Sequence, residues 1–135
     1  VIDKTPQPSA PTFDKAANTG FRHLRNATRF SLNGLAMAYR NEAAFRQEAG
    51  LFGISIPLAI WLGDGPLQWA ALVGVGLLVL IVELLNSGLE ACIDRIGPEH
   101  HVLSGLAKDF GSAAVMLALG LALLVWLAVL VERLW

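Results

Sequence analysis

Sixteen uncharged and mostly apolar residues, Leu67 to Val82, run without a break into Glu83, Asn86 and Glu90. A run of that length, continued by its polar end, is long enough to cross a bilayer as a helix. An ionised carboxylate near hydrocarbon depth is costly unless it faces a partner, a metal or a wet cavity, so Glu83 reads as a functional position by default. At about a hundred degrees per residue, positions i, i+3 and i+7 share one helix face, and Asp94 at i+11 rejoins it. The helix therefore carries a polar stripe that descends from its lipid-facing half toward water.

The whole chain agrees with that reading. Of its 135 residues 55% are apolar and 16% charged, with a mean hydropathy of +0.56, which is outside the balance of an ordinary soluble domain. A small membrane protein follows, and a bundle with so few spans has little interior in which to bury a polar stripe, so self-association is expected. Seven of the ten Lys and Arg residues (Lys4, Lys15, Arg22, Arg25, Arg29, Arg40, Arg46) precede the first long apolar run, and Arg95 and Lys108 lie between the second and third. By the positive-inside rule both segments face the cytoplasm, leaving the loop near Asp64 and the C-terminus with Arg133 outside. With a net charge of −1 and no DNA-binding motif, no nucleic-acid partner is expected, and the basic N-terminal part reads as attraction to a membrane surface. The lone Cys92 excludes an intrachain disulfide and reads as a small buried apolar side chain.

The expected fold class is an all-α membrane protein. Residues 1–17 hold three prolines and few large apolar groups, the composition of a disordered tail, and show no apolar core with a cleavage site, so no signal peptide is expected. Residues 18–135 read as one membrane domain. From about 19 to 40, Phe21, Leu24, Phe30, Leu35 and Tyr39 interleave with Arg22, Arg25 and Arg29 as in a helix lying in the interface, with Gly34 as a weak point. Spans are expected at about 42–62, 67–96 and 104–135. Pro57 is a tolerated kink, Gly63-Asp64-Gly65-Pro66 a turn flanked by Trp61 and Trp69, and Gly97-Pro98 a stop followed by a loop with His100 and His101. Small residues recur at Ala70, Gly74 and Gly76 and at Ala114, Ala118 and Ala122, which permits close helix contact.

The polar residues Glu42, Glu48, Glu83, Asn86, Glu90, Asp94, Lys108 and Asp109 converge on the cytoplasmic ends of the three spans. There a lipid head group can be met from the side and a soluble substrate from below. The outer halves of the spans lack acidic residues, which disfavours an ion pathway, and His23, His100 and His101 lack zinc-site spacing. Phosphoryl transfer fits better: magnesium takes one or two carboxylates and completes its shell with water and phosphate, which Glu42 and Glu90 can serve. Glu83, less hydrated, can accept a hydroxyl proton, Asn86 one turn away can orient it, and Lys108 can neutralise phosphate charge. No GxxxxGK[ST], GxGxxG or HRD sequence is present, so no ordinary nucleotide-binding fold is expected. The alternative on these residues alone is a set of solvated helix ends and oligomer contacts.

NEAAFRQE at 41–48, IVELLNSGLEACIDRIG at 81–97 and LSGLAKDFGSAAV at 103–115 closely resemble three motif blocks of the bacterial integral-membrane diacylglycerol kinase family, a likeness running from about Thr19 to the C-terminus. The resemblance implies a homotrimer in the inner membrane, each subunit with three transmembrane helices and an amphipathic surface helix, phosphorylating diacylglycerol to phosphatidic acid with MgATP at the cytoplasmic face. It implies Glu83 as catalytic base and Glu42 and Glu90 as magnesium and ATP ligands. Asn86, Asp94, Lys108 and Asp109 become active-site or nucleotide support, and Glu99, His101 and the Gly97 loop adenine and ribose contacts. His23, Ala44, Phe45, Arg46, Gln47, Glu48 and Ser112 fall on the lipid side. Phe30 stands where well-known members place a tyrosine against the nucleotide, keeping a stacking ring without the hydroxyl. His23 and Leu106 stand at usual arginines. A related subfamily phosphorylates undecaprenol, and a non-catalytic oligomeric membrane module is the rival class.

Overall fold

The computed structural model describes residues 20–97, 99 and 101–135, and the expected tail at 1–17 and His100 lie outside them. Four helices make up the described chain: α1 (Phe21–Asn41), α2 (Ala43–Leu62), α3 (Pro66–Ile96) and α4 (Val102–Leu134), with no strand among the described residues. Two compact units divide it, one ending at Leu35 and the other running from Ala36 to Trp135.

α1 passes through Gly34 without a break. The hydroxyls of Thr28 and Ser31, which compete with helix backbone elsewhere, donate to the carbonyls of Leu24 and Ala27, each at 2.9 Å, and so stay inside the helical pattern. At its far end the orphan carbonyls of the last turn need donors. Arg46 supplies them, its Nη1 donating to Tyr39 O at 3.2 Å and Arg40 O at 2.9 Å. Glu42, in extended conformation, is the single residue between α1 and α2.

In the second unit α3 is central, packing on both α4 and α2, while α2 and α4 scarcely meet. Glycine sets the approach of α2 to α3: a Cβ at Gly76 would lie 2.7 Å from the Phe52 ring. Ala59, Leu62, Leu72 and Val129 form the buried core where α2 ends, α3 begins and α4 ends, with Val73, Val125 and Trp126 around it. A polar clasp closes the same end. Gly63, whose backbone leaves no room for a Cβ beside Trp69, accepts the Trp69 indole N–H at 2.8 Å. Gln68 accepts the Asp64 N–H at 2.9 Å and donates to Glu132 at 3.0 Å. Arg133 donates to Leu62 O at 3.0 Å, capping α2, and to Asp64 at 3.2 Å, with its guanidinium 5.3 Å from the centre of the Trp61 ring. At the other end α3 leaves through Gly97, whose φ of 146° suits only glycine.

α3 and α4 are each long and apolar enough to cross a membrane. Only 17% and 11% of their most apolar stretches are buried inside the chain, so they are not the core helices of a soluble fold. Leu85, Leu117, Leu123 and Leu124 all face outward, as they do in lipid or against another subunit. α2 differs because Arg46, Gln47 and Glu48 occupy its first turns; its uncharged part, residues 49–62, is about 21 Å long. Helix bounds match the sequence expectations to within two residues, α4 starting at Val102 because His101 caps it, Nδ1 accepting the Leu103 N–H at 3.2 Å.

The clasp gives a stability test. Arg133→Ala removes a charged donor from a helix-terminal carbonyl and should lower stability in detergent by about 1.5–3 kcal/mol. Asp64→Ala removes only an exposed ion pair and should cost less than about 1 kcal/mol. Thermal unfolding followed by circular dichroism measures both.

Candidate active site

Glu83 is the one buried polar or charged residue among the described residues, at 5% exposure. Its helix turns Asn86 and Glu90 to the same side. That side forms one wall of a cleft of about 420 Å³ lined also by Glu42, Ala44, Glu48, Ser87, Ser112, Val115, Met116 and Leu119. Each element contributes for a local reason. Glu42 sits at the α1–α2 break and makes no capping bond with its side chain, which is left for the cleft. Ala44 and Glu48, one turn apart, come from the first turns of α2. Ser112, Val115, Met116 and Leu119, at i, i+3, i+4 and i+7, form a face of α4 that is polar at one end and apolar at the other.

Four carboxylates thus gather in one cleft. The charges of Glu90 and Glu42 act on Glu83, and that of Glu83 acts on Glu48. Such crowding calls for a cation or for shared protons. One interaction orders it: Asn86 Nδ2 donates to Glu90 Oε1 at 3.3 Å. The sequence expectation set Asn86 to orient Glu83; the bond observed runs to Glu90, one turn further along the same helix face. Asn86 Oδ1 packs against α4, where a Cβ on Gly111 would overlap it, so glycine at 111 is what lets the two helices close on the carboxamide. Buried and without a hydrogen-bond partner are Asn86 Oδ1 and Glu48 Oε2.

Next to it lies a second cleft of about 570 Å³ between the end of α3 and the start of α4, lined by Ile93, Asp94, Gly97, Glu99, His101, Val102, Ser104, Gly105, Lys108 and Asp109. Lys108 Nζ pairs with Asp94 at 2.7 Å, and Asp94 stands one turn beyond Glu90 on α3, so that helix carries an acidic residue into each cleft. Lys108 and Asp109, neighbours in sequence, do not pair with each other.

The other positions singled out by sequence divide. Phe45 is buried, Gln47 is exposed, and Arg46 spends its guanidinium on the end of α1. His23 and Phe30 stand exposed in the unit that ends at Leu35. Exposed, too, is Cys92, against the expectation of a buried side chain, because it lies on the outward face of the α3 end. Ser87, Val115, Met116 and Leu119 were missed; the helical spacing from Ser112 was the signal for the last three.

Among the described residues no three or more His, Cys, Asp or Glu side chains are arranged to hold a metal by themselves. Glu42 and Glu90 share a cleft as two carboxylates, a donor set that fits a magnesium ion arriving with phosphate oxygens and not a protein-caged one.

The family description "Prokaryotic diacylglycerol kinase" matches residues 29–130, a range containing both clefts whole. The chain belongs to this family. It is similar to the diacylglycerol kinase of Haemophilus influenzae, 49% identical over 108 residues, 80% of this chain and 92% of that protein. The diacylglycerol kinase of Escherichia coli K12 is 46% identical over 108 residues, 80% and 88% of the two chains. That of Pseudomonas aeruginosa is 46% identical over 112 residues, 83% and 91%. Membership makes the chain a prokaryotic lipid kinase of membrane character, and the likeness read from the three motif blocks stands.

Close packing at Asn86 is testable on this diacylglycerol kinase family member. Gly111→Val should destabilise the chain by about 1–3 kcal/mol through overpacking, and adding Asn86→Ala should recover part of the loss. Thermal unfolding of the two variants side by side decides it; no recovery would place the strain elsewhere.

Proposed function

We propose that this protein transfers the γ-phosphate of ATP to diacylglycerol, giving phosphatidic acid at the cytoplasmic face of the inner membrane. The observation that carries the reading is the buried Glu83 among Glu42, Glu48 and Glu90, in a cleft with an apolar α4 wall on one side and the Lys108 cleft on the other, in a chain of the diacylglycerol kinase family.

The lipid alcohol enters along Val115, Met116 and Leu119 with its hydroxyl at Glu83 and its glyceryl oxygens near Ser112 and Glu48. The hydroxyl oxygen bonds to the γ-phosphorus as the bond to the β–γ bridging oxygen breaks, ADP leaves, and the hydroxyl proton passes to the Glu83 carboxylate. Glu42 and Glu90 would hold a magnesium ion, which would supply neutralisation of the phosphate charge when bound. Asn86 keeps the Glu90 carboxylate in one orientation. Lys108, positioned by Asp94, stabilises charge on the transferring group, and Asp109, Glu99 and His101 flank the nucleoside side, where the His101 ring is fixed by its bond to the Leu103 N–H.

α2 is the third span of this proposal, and a homotrimer its working form. Support for the span comes from the outward-facing Leu51, Ile54, Ile60 and Trp61, and from Arg46, whose charge is occupied at the α1 terminus instead of facing lipid. The wide apolar faces of α3 and α4 support assembly with further copies, and the many basic residues before α2 support a cytoplasmic N-terminus.

Membranes containing the protein should move labelled phosphate from ATP to diacylglycerol, and to undecaprenol offered side by side only weakly. Glu83→Gln should lower this transfer by at least about 100-fold, the scale of a lost general base, while assembly persists. Unchanged transfer would remove Glu83 from the reaction; lost assembly would make it an interface residue. MgATP at a hundred times its dissociation constant should stabilise the fold by about 2.7 kcal/mol. Lys108→Met should remove most of that shift in a thermal assay, and a null shift in the unaltered protein would favour a non-catalytic module.

A further inference from the structure

Gly111 lines neither cleft, yet it is the one glycine of α4 at which a side chain would come into conflict with its surroundings. At Gly105 and Gly120 an added Cβ meets open space. At Gly111 it would overlap the Asn86 carboxamide oxygen, whereas the Leu89 Cδ2 would stay 3.4 Å away, so the conflict falls on Asn86 alone. The other end of that carboxamide is engaged, its Nδ2 donating to Glu90 Oε1 at 3.3 Å. An ionised carboxylate only accepts, so the amide must turn its nitrogen toward Glu90 and its oxygen toward α4. There Oδ1 is buried without a hydrogen-bond partner. A buried orphan acceptor carries a desolvation penalty, and it persists here with the bond to Glu90 held at the opposite end of the same group.

We infer that Gly111 is a positioning residue for Glu90, acting across the α3–α4 contact through Asn86; this rests on the reading of Glu90 as a magnesium ligand. A magnesium shell departs little from octahedral geometry, so a carboxylate that lends it one oxygen has to be aimed. Asn86 supplies that aim from one turn back on the same helix face. The terminal torsion of asparagine is broad, and left to itself the carboxamide would turn. What confines it is the bare α-carbon of Gly111, whose missing side chain leaves a recess for the oxygen. Because the carboxamide is the end of a side chain, a single methyl group at 111 would rotate it and break the bond to Glu90 without parting the helices, unlike the bulkier valine. Alanine also favours a helix over glycine. Gly111→Ala should therefore disturb the metal ligand while the fold is kept.

Electron paramagnetic resonance of manganese(II) titrated into the full chain in detergent, with the β,γ-methylene analogue of ATP present, tests this without turnover, since manganese takes the same octahedral oxygen shell as magnesium. Gly111→Ala should weaken manganese–nucleotide binding by about ten-fold or more, the loss usual for a group that orients a metal ligand. Asn86→Ala should do the same. G111A/N86A should bind no more weakly than N86A alone, because one route carries both effects. Gly120→Ala, at an open position of the same helix, should bind as the unaltered chain does. Unchanged binding in G111A, additive losses in G111A/N86A, or an equal loss in Gly120→Ala would each overturn the inference. Binding left intact by Glu90→Gln would overturn it too, by removing Glu90 as a ligand. The titrations are repeated in Glu83→Gln, where no transfer is expected, so a failure of the kinase reaction and a failure of this positioning give different results.

Discussion

A carboxylate cannot sit among apolar side chains without something to answer its charge, and the architecture of this chain is arranged around the place where Glu83 does so. α3 brings it out of a sixteen-residue uncharged run. α2 and α4 scarcely pack on each other and each packs on α3, and the cleft lined from all three falls along the Glu83 face. Glu42, Glu48 and Glu90 then deepen the negative charge instead of relieving it. The cleft at Glu83 is thus acidic on its α3 face and apolar along its α4 wall, while the second cleft, between the end of α3 and the start of α4, sets Asp94 and Asp109 beside Lys108.

Much of this was legible in the chain. Lengths of apolar runs and the punctuation at Gly63-Asp64-Gly65-Pro66 and Gly97 fixed the helix bounds, since backbone groups in hydrocarbon must be satisfied within a helix and leave few other endings. The i, i+3, i+7 spacing put Glu83, Asn86 and Glu90 on one face for the same reason. What could not be read were the partners of long polar side chains across helices. Arg46 caps the end of α1, Lys108 takes Asp94 and not its neighbour Asp109, and Arg133 reaches back to Leu62 and Asp64. These depend on helix approach distances, which glycines at 63, 76 and 111 set by the absence of a side chain. Periodicity does not reveal such a requirement, because a glycine with space around it, such as Gly74, looks the same in sequence.

His101 joins two tasks that sequence had kept apart. As the cap of α4 it holds the first turn of that helix, two turns before Lys108, and as a wall of the second cleft it faces the space between α3 and α4. The start of α4 and the shape of that cleft are therefore one structural fact: whatever moves the imidazole also moves the helix terminus that positions the lysine.

The clasp of Arg133, Gln68, Trp69 and Glu132 ties the three long helices together at the end opposite the clefts. The turn between α2 and α3 is therefore held by the last turn of α4, 64 to 71 residues away in the chain, so trimming the C-terminal end of α4 would unfasten a connection in which it takes no covalent part.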